Sequence, residues 1–364
     1  MTPFLRYRRM AWIFRGISWM RISVFWGSLS LVAESPDFFQ TRDLSLQREV
    51  SHIIDRGNGW LLTQQRENGS WDGPDPLLAT GMAMLALGVD PEERHAGQKA
   101  LPLRRGMDYL LTCLQPDGGM YRNASMAMNQ TSISLLVLAS LPHERREKAV
   151  PAARSFLLQQ LAVSHAAQWS HQTLKSPVKD APLANQQPNL GLLGQQLRAL
   201  QACYFSGQSH AFDVETSIHF TKLRDQLLRE SASLNPMDSA WEDLCHGLML
   251  QHMKGRDVSH PEVNALLTAL NALSWIQRRP EDSFSAWLER VHWVVPPLVW
   301  MGLEPRCVSL PGDEPWRHYL AFKLMNAQDP AGSWGASGRP VDAAAAIEDT
   351  SRAILVLSGL YADL

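Results

Sequence analysis

Between residues 103 and 114 the apolar positions are Leu103, Met107, Leu110, Leu111 and Leu114. They fall on one stripe of an α-helix, at the spacing of an amphipathic surface helix. Arg104, Arg105 and Asp108 take the other face, so the predicted helix is half exposed. Pro116, Gly118 and Gly119 then stop it and turn the chain. Residues 131–141 are apolar almost all round, which predicts a second helix buried on both sides. Thr131 stands at its start, where a hydroxyl can accept an orphan backbone N–H. The unit is a hairpin of one outer amphipathic helix, a glycine turn and one inner buried helix.

This hairpin is written three times. Gln65, Gly69 and Trp71 precede Thr80; Gln115 and Gly118 precede Thr131; Gln328, Gly332 and Trp334 precede Thr350. Each threonine opens the pattern Thr-x-x-Ala/Ser-x-Leu-x-Leu. Gly69 to Gly118 and Pro102 to Pro151 are both 49 residues, so residues 59–364 hold about six such units. Stacked hairpins form an open solenoid or a closed ring. The predicted fold is all-α, an α/α toroid of about six helical hairpins with inner and outer rings around a central cavity. The inner-helix N-termini and the turns would gather at one mouth. The middle copies are worn. Residues 156–160 read as the end of an outer helix, 195–200 and 264–273 as inner helices, and 164–189 as a long loop inserted at a mouth. Residues 34–58 read as a lead-in, and 59–364 as one domain.

The first 21 residues carry Arg6, Arg8, Arg9, Arg15 and Arg21 and no acid, and residues 22–33 are apolar. That order is the order of a secretory signal. The apolar run is shorter than the roughly 20 residues a membrane span needs. Residues 1–33 are therefore read as a signal peptide, with cleavage after Ala33 and Met20 as an alternative start, or as an N-terminal membrane anchor. Export to the periplasm or the medium follows from this reading. A packed amphipathic helix is the plainer alternative.

Composition narrows the rest. Hydrophobic residues are 45% and charged residues 19% of 364, which makes the chain globular. A net charge of −2 without a basic block gives no support for nucleic-acid binding. Seven tryptophans (Trp241, Trp275, Trp287, Trp293, Trp300, Trp316, Trp334) lie in the C-terminal third. Core packing is their first reading, an aromatic-lined cavity their second. Cys113, Cys203, Cys245 and Cys307 form no CxxC pair, which removes zinc-ribbon and thioredoxin-like sites and leaves disulfides open. The histidines His165, His171, His246, His252 and His260 are scattered and read as surface residues.

Gln-x-x-x-Gly-Ser-Trp before a threonine-started apolar helix resembles the Gln-Trp repeat of the squalene cyclase and protein prenyltransferase superfamily. The resemblance implies an α/α toroid with an apolar pocket, and structural roles for Gln65, Trp71, Gln328 and Trp334. The cyclases' Asp-x-Asp-Asp is absent; the nearest acids are Glu348 and Asp349. Acids beside Thr350 could equally cap its helix through the macrodipole. The prenyltransferases' zinc ligands Asp-x-Cys find a match in Asp243 and Cys245, yet Arg352 occupies the position of that family's histidine. Zinc needs a third protein ligand, so no cofactor is expected, zinc being the one alternative.

The expected function is a repeat toroid that binds an apolar molecule, an isoprenoid among them, or a protein partner. The alternatives are a divergent terpene cyclase or prenyltransferase, and a secreted polysaccharide-active toroid. The last rests on fold analogy alone.

Overall fold

The computed structural model describes residues 43–89, 91–92, 96–173, 199–207, 214, 216–218, 220–222, 224–225, 241–273, 275–304, 315–335, 343–361 and 364, the side chains of 96, 164–173, 242, 243 and 343 apart. The signal or anchor read in residues 1–33, and Cys307, lie outside these residues.

Helix α1 (Leu44–Thr63) begins where Asp43 accepts hydrogen bonds from the backbone N–H groups of Ser45 and Leu46, each at 3.0 Å. Its buried stripe is Leu46, Val50, Ile54 and Leu61. Residues 44–58, read as lead-in, are thus the body of the first outer helix, and the boundary at 59 falls inside it. Helix α2 (Pro76–Gly88) starts on Asp75, with Pro76 in its first turn. There follow α3 (Ala96–Thr112), a 3-10 turn (Ala124–Met126), α4 (Ala127–Ser140) and α5 (Arg146–Thr173). A helical segment spans 199–207. Next come α6 (Trp241–Met253), α7 (Pro261–Ala272), α8 (Phe284–Trp300), α9 (Trp316–Ala327) and α10 (Ala343–Tyr361). No strand occurs among the described residues; Leu114 and Met120 form one isolated bridge. The fold is an α/α toroid.

Helices α4, α2, α10, α8 and α6 pack side by side in that order. They form the inner layer, and α1, α3, α5, α7 and α9 cover it. The repeat motif explains the packing. Gly69, Gly118 and Gly332 have φ of 86°, 89° and 102°, a region where a side chain is strained. A Cβ on Gly69 would stand 2.3 Å from the Arg105 carbonyl of α3, and one on Gly332 would stand 2.6 Å from the Arg56 carbonyl of α1. Each turn therefore presses its backbone onto the next outer helix, and the last turn presses onto the first helix.

The glutamines tie the same joints. Gln65 Nε2 donates to the carbonyls of Gly69 (2.9 Å) and Pro102 (2.8 Å). Gln328 Nε2 donates to Gly332 and, across the closure, to Ile53, both at 2.9 Å. Arg56 also donates to the Asp329 carbonyl at 2.7 Å, and the Asp43 N–H to that of Leu364 at 2.8 Å. Trp71 and Trp334 are fully buried, and each indole N–H reaches back to its own outer helix, at Leu61 (2.8 Å) and Leu324 (2.7 Å). The second copy lacks tryptophan, and Gln115 stays within its own turn, bonding the Tyr121 carbonyl at 2.8 Å.

Several expectations change. The threonines do not cap helices. Thr80, Thr131 and Thr350 lie inside α2, α4 and α10, where their hydroxyls accept the backbone N–H of Trp71 (3.0 Å), Met120 (2.9 Å) and Trp334 (3.0 Å). The inner helices start earlier than residue-by-residue pattern suggests, because the turn needs a buried acceptor more than the helix needs a cap. Residues 264–273 fall in α7 and just beyond it. This helix buries only Val263, Leu267, Ala269 and Leu270 and packs on α6, so it is outer, not inner. Residues 156–160 lie mid-helix, since α5 continues to Thr173; the expected loop from 164 is helical for its first ten residues, and 174–189 lie outside those described. His246 and His252 are buried, against the surface reading. Cys113, Cys203 and Cys245 are buried, and none is in a disulfide.

Candidate functional site: a cavity with one charged end

A cavity of about 260 Å³ lies between the inner helices. Each helix gives it one stripe: Leu78, Met82 and Leu85 from α2; Ser132, Ile133 and Leu136 from α4; Glu289, Trp293, Pro296 and Trp300 from α8; Glu348, Arg352 and Leu355 from α10. These are the three- and four-residue steps of one helical face. Phe205 and Met249 add apolar surface from 199–207 and α6. The charged groups come from the N-terminal halves of α8 and α10, and the C-terminal halves contribute carbon. The cavity is therefore polarised along the ring axis.

Trp300 closes the apolar end with Phe205, whose ring meets it edge-on at 4.9 Å between centroids, and with His252 at 5.8 Å. Burial lowers the pKa of His252, which keeps this end uncharged. Trp293 lies nearer the charged end, between the rings of His246 (5.6 Å) and His292 (6.2 Å).

At the charged end Arg352 Nη2 donates to Glu348 Oε2 at 3.0 Å, and Nη1 to Asp349 Oδ1 at 3.3 Å. Ser285, on α8, donates its hydroxyl to the other Asp349 oxygen. Glu348 faces the cavity, whereas Asp349 is only 2% exposed and stands behind it. Burial raises both carboxyls above their usual range. For Glu348, Arg352 opposes the shift while Asp349 and Glu289 reinforce it. For Asp349, the Ser285 hydroxyl and Arg352 oppose it and Glu289 reinforces it. One guanidinium among three neighbouring carboxyls cannot neutralise them all, so the cluster favours retaining a proton. Such a carboxyl can donate a proton into an apolar chamber.

Glu348 and Asp349 are thus not helix caps. Helix α10 begins at Ala343, a full turn before them, and they face across to α8. Arg352, noted only as a departure from a zinc site, is their ion-pair partner. Ser285 and Glu289 carried no signal of their own. Glu289, Trp293, Pro296 and Trp300 share one helical face, but α8 is apolar on its other faces too, which hid the stripe. Of the two aromatic readings, Trp293 and Trp300 take the cavity, while Trp275, Trp287, Trp316 and Trp334 are core. Cys245 is buried in α6, and the Asp243 side chain lies outside the described residues. Among the described residues no group of three or more His, Cys, Asp or Glu could hold a metal ion. No described helix is long and apolar enough to cross a membrane. The repeat residues Gln65, Gly69, Trp71, Thr80, Gln115, Gly118, Thr131, Gln328, Gly332, Trp334 and Thr350 stay out of the cavity lining.

No family profile matches the chain. No curated protein matches it either. Solved structures do. The type II terpene cyclase MstE from Scytonema, in complex with its product merosterolic acid A, aligns with a TM-score of 0.54 at 14% identity, over 88% of this chain and 99% of that one. The same enzyme with its substrate geranylgeranyl dihydroxybenzoate aligns with a TM-score of 0.53 at 13% identity, over the same shares. At this identity the likeness establishes a terpene cyclase-like fold.

Proposed function

We propose that the ring holds an isoprenoid in its central cavity and cyclises it by proton transfer from the Glu348–Asp349 pair. One observation carries this reading: half-buried Glu348, with buried Asp349 behind it, opens into the polar end of a chamber whose other walls are mainly carbon and aromatic. MstE, with the same fold, binds a geranylgeranyl substrate. A cavity of about 260 Å³ is under twice the roughly 150 Å³ that accepts benzene, which is room for about two isoprene units of such a chain.

The chemistry balances without a cofactor. A carboxyl O–H gives its proton to the less substituted carbon of the chain's terminal alkene, and the carboxylate left behind is stabilised by Arg352. The cationic carbon is attacked by the next double bond, which closes a ring. The π faces of Trp293 and Trp300 lower the energy of the migrating charge. Loss of a proton back to a basic group ends the reaction, so substrate and product are isomers.

A non-catalytic binder of apolar molecules is the second reading. It is favoured by the missing Asp-x-Asp-Asp and by Arg352, which holds both acids in ion pairs. A polysaccharide substrate fits poorly, because its hydroxyls would find few partners along the apolar walls. Export remains a proposal resting on residues 1–33.

Incubating the purified protein with linear C15, C20 and C30 polyenes, followed by mass spectrometry, separates the readings. Cyclic isomers that disappear in Glu348→Gln or Asp349→Asn, by about 100-fold, with binding retained, support catalysis. Binding without any product supports the second reading. No binding at all removes both.

A further inference from the structure

In the proposed reaction the tail of the chain meets Glu348, so the rest of it runs from the charged end towards Trp300. The walls fix how much of it can fold inside. A benzene-binding cavity of roughly 150 Å³ gives about 25 Å³ to each carbon. Two isoprene units then need about 250 Å³, and three need about 375 Å³. The cavity has about 260 Å³, enough for two units and not for three. Its apolar end is a closed circuit of four rings. Trp300 meets Phe205 at 4.9 Å between centroids, Phe205 meets Tyr204 at 5.4 Å, Tyr204 meets His252 at 6.3 Å, and His252 returns to Trp300 at 5.8 Å. Rings packed on one another give way less easily than separate side chains. Outer and inner helices alternate along the chain, so the inner ones run the same way. Gly88 of α2 and Ser140 of α4 therefore line this same end. They carry the least bulk there, so a longer chain passes the aromatic wall only when stretched.

We infer that the cyclisation stops after one ring, and that the wall of Trp300 and Phe205 sets this limit. The inference rests on the proposed proton-transfer reaction and says how far it runs. Protonation of the terminal alkene leaves a tertiary cation on its other carbon. The π pair of the second double bond forms a carbon–carbon bond to that cation, closes a six-membered ring and leaves a cation within the ring. A second ring needs the π pair of a third double bond, folded back over this cation. That double bond belongs to the third isoprene unit, for which the chamber has no room. A neighbouring C–H ends the reaction instead. Its electron pair becomes the ring double bond, and its proton returns to the acid cluster, where the first step left a carboxylate. With one ring made, the cation is still beside that carboxylate. The product is an isomer of the substrate with a single ring at its tail and the remainder of the chain open.

The test is incubation of the full chain with all-trans farnesol and geranylgeraniol, followed by hydrogenation and mass spectrometry of the cyclic isomers. Each ring made removes one double bond, so hydrogen uptake counts the rings. One-ring isomers should outnumber those with two or more by about tenfold or more, the ratio that about 1.4 kcal/mol of crowding gives. Trp300→Ala and Phe205→Leu open the wall, and each should raise the share of two-ring isomers by about threefold or more. Circular dichroism checks that each variant is folded; where one is not, the other variant and the parent's own ratio decide. Parent products with mainly two or more rings overturn the inference and leave the cyclisation reading standing, as do one-ring products whose ratio neither folded variant moves. Absence of any cyclic isomer overturns the inference together with the cyclisation reading.

Discussion

At the residue scale, Glu348 and Asp349 link the cavity's chemistry to the protein's stability. Burial outweighs Arg352 at both, so each native pKa stands above its unfolded value. The native state then binds more protons than the unfolded chain as pH climbs past about 4. Their contribution is complete below the unfolded values and is lost as pH rises through the raised native ones. Glu348→Gln with Asp349→Asn abolishes that slope. Urea titrations should show the double variant gaining stability relative to its parent as pH rises through this window. A difference that is flat in pH would reject burial as the dominant cause. Gly332 carries a different constraint. Its φ of 102° and the Arg56 carbonyl 2.6 Å from a built Cβ leave no room for alanine. Gly332→Ala should cost about 2 kcal/mol or more in urea unfolding.

Among elements, the three turns show how one motif sets the joints between hairpins. Gln65 and Gln328 each bridge to the next outer helix, at Pro102 and Ile53. Gln115 makes no such bridge. Gln65→Ala and Gln328→Ala should therefore each cost about 1 kcal/mol or more, since two part-buried carbonyls lose a donor. Hydrogen exchange should quicken in α3 for the first and in α1 for the second. Gln115→Ala should quicken exchange in its own turn and leave α5 unchanged; equal loosening of the neighbouring helix in all three variants would contradict this division. The burial pattern also decides which helix is outer. Helix α7 carries a single apolar stripe, Val263, Leu267 and Leu270, whereas α2 buries Leu77, Ala79, Ala83 and Met84 while turning Leu78 and Met82 to the cavity.

For the whole molecule, closure is the main consequence. The last turn grips α1 through Gln328 and Gly332, and α10 packs on α1, α2 and α8. An open solenoid can lose a terminal repeat and keep the others. A closed ring cannot, because removing α9 and α10 bares the stripe of α1 and one wall of the cavity. Deleting residues 316–364 is expected to abolish cooperative unfolding of the remainder, as followed by circular dichroism in urea. A soluble fragment with a sharp transition would show that the hairpins stand alone.

The all-α toroid was legible because helical periodicity and the glutamine–glycine turns that join its hairpins are local in sequence. So were the turns, since glycine with a positive φ leaves its mark in all three copies and a buried Trp in the first and last. The worn middle copies were not, because α5, α6 and α7 keep helix while losing the motif. The acids Glu348 and Asp349 could be named, but their role could not. Sequence places them next to Thr350, where capping is the simplest account. Only the ring brings Ser285, Glu289 and Trp293 of α8 across to them, some 60 residues back along the chain. A local pattern can specify an element and its buried face. Which faces meet around a cavity depends on closure, and so do the burial and charge that set the acidity of those carboxyls.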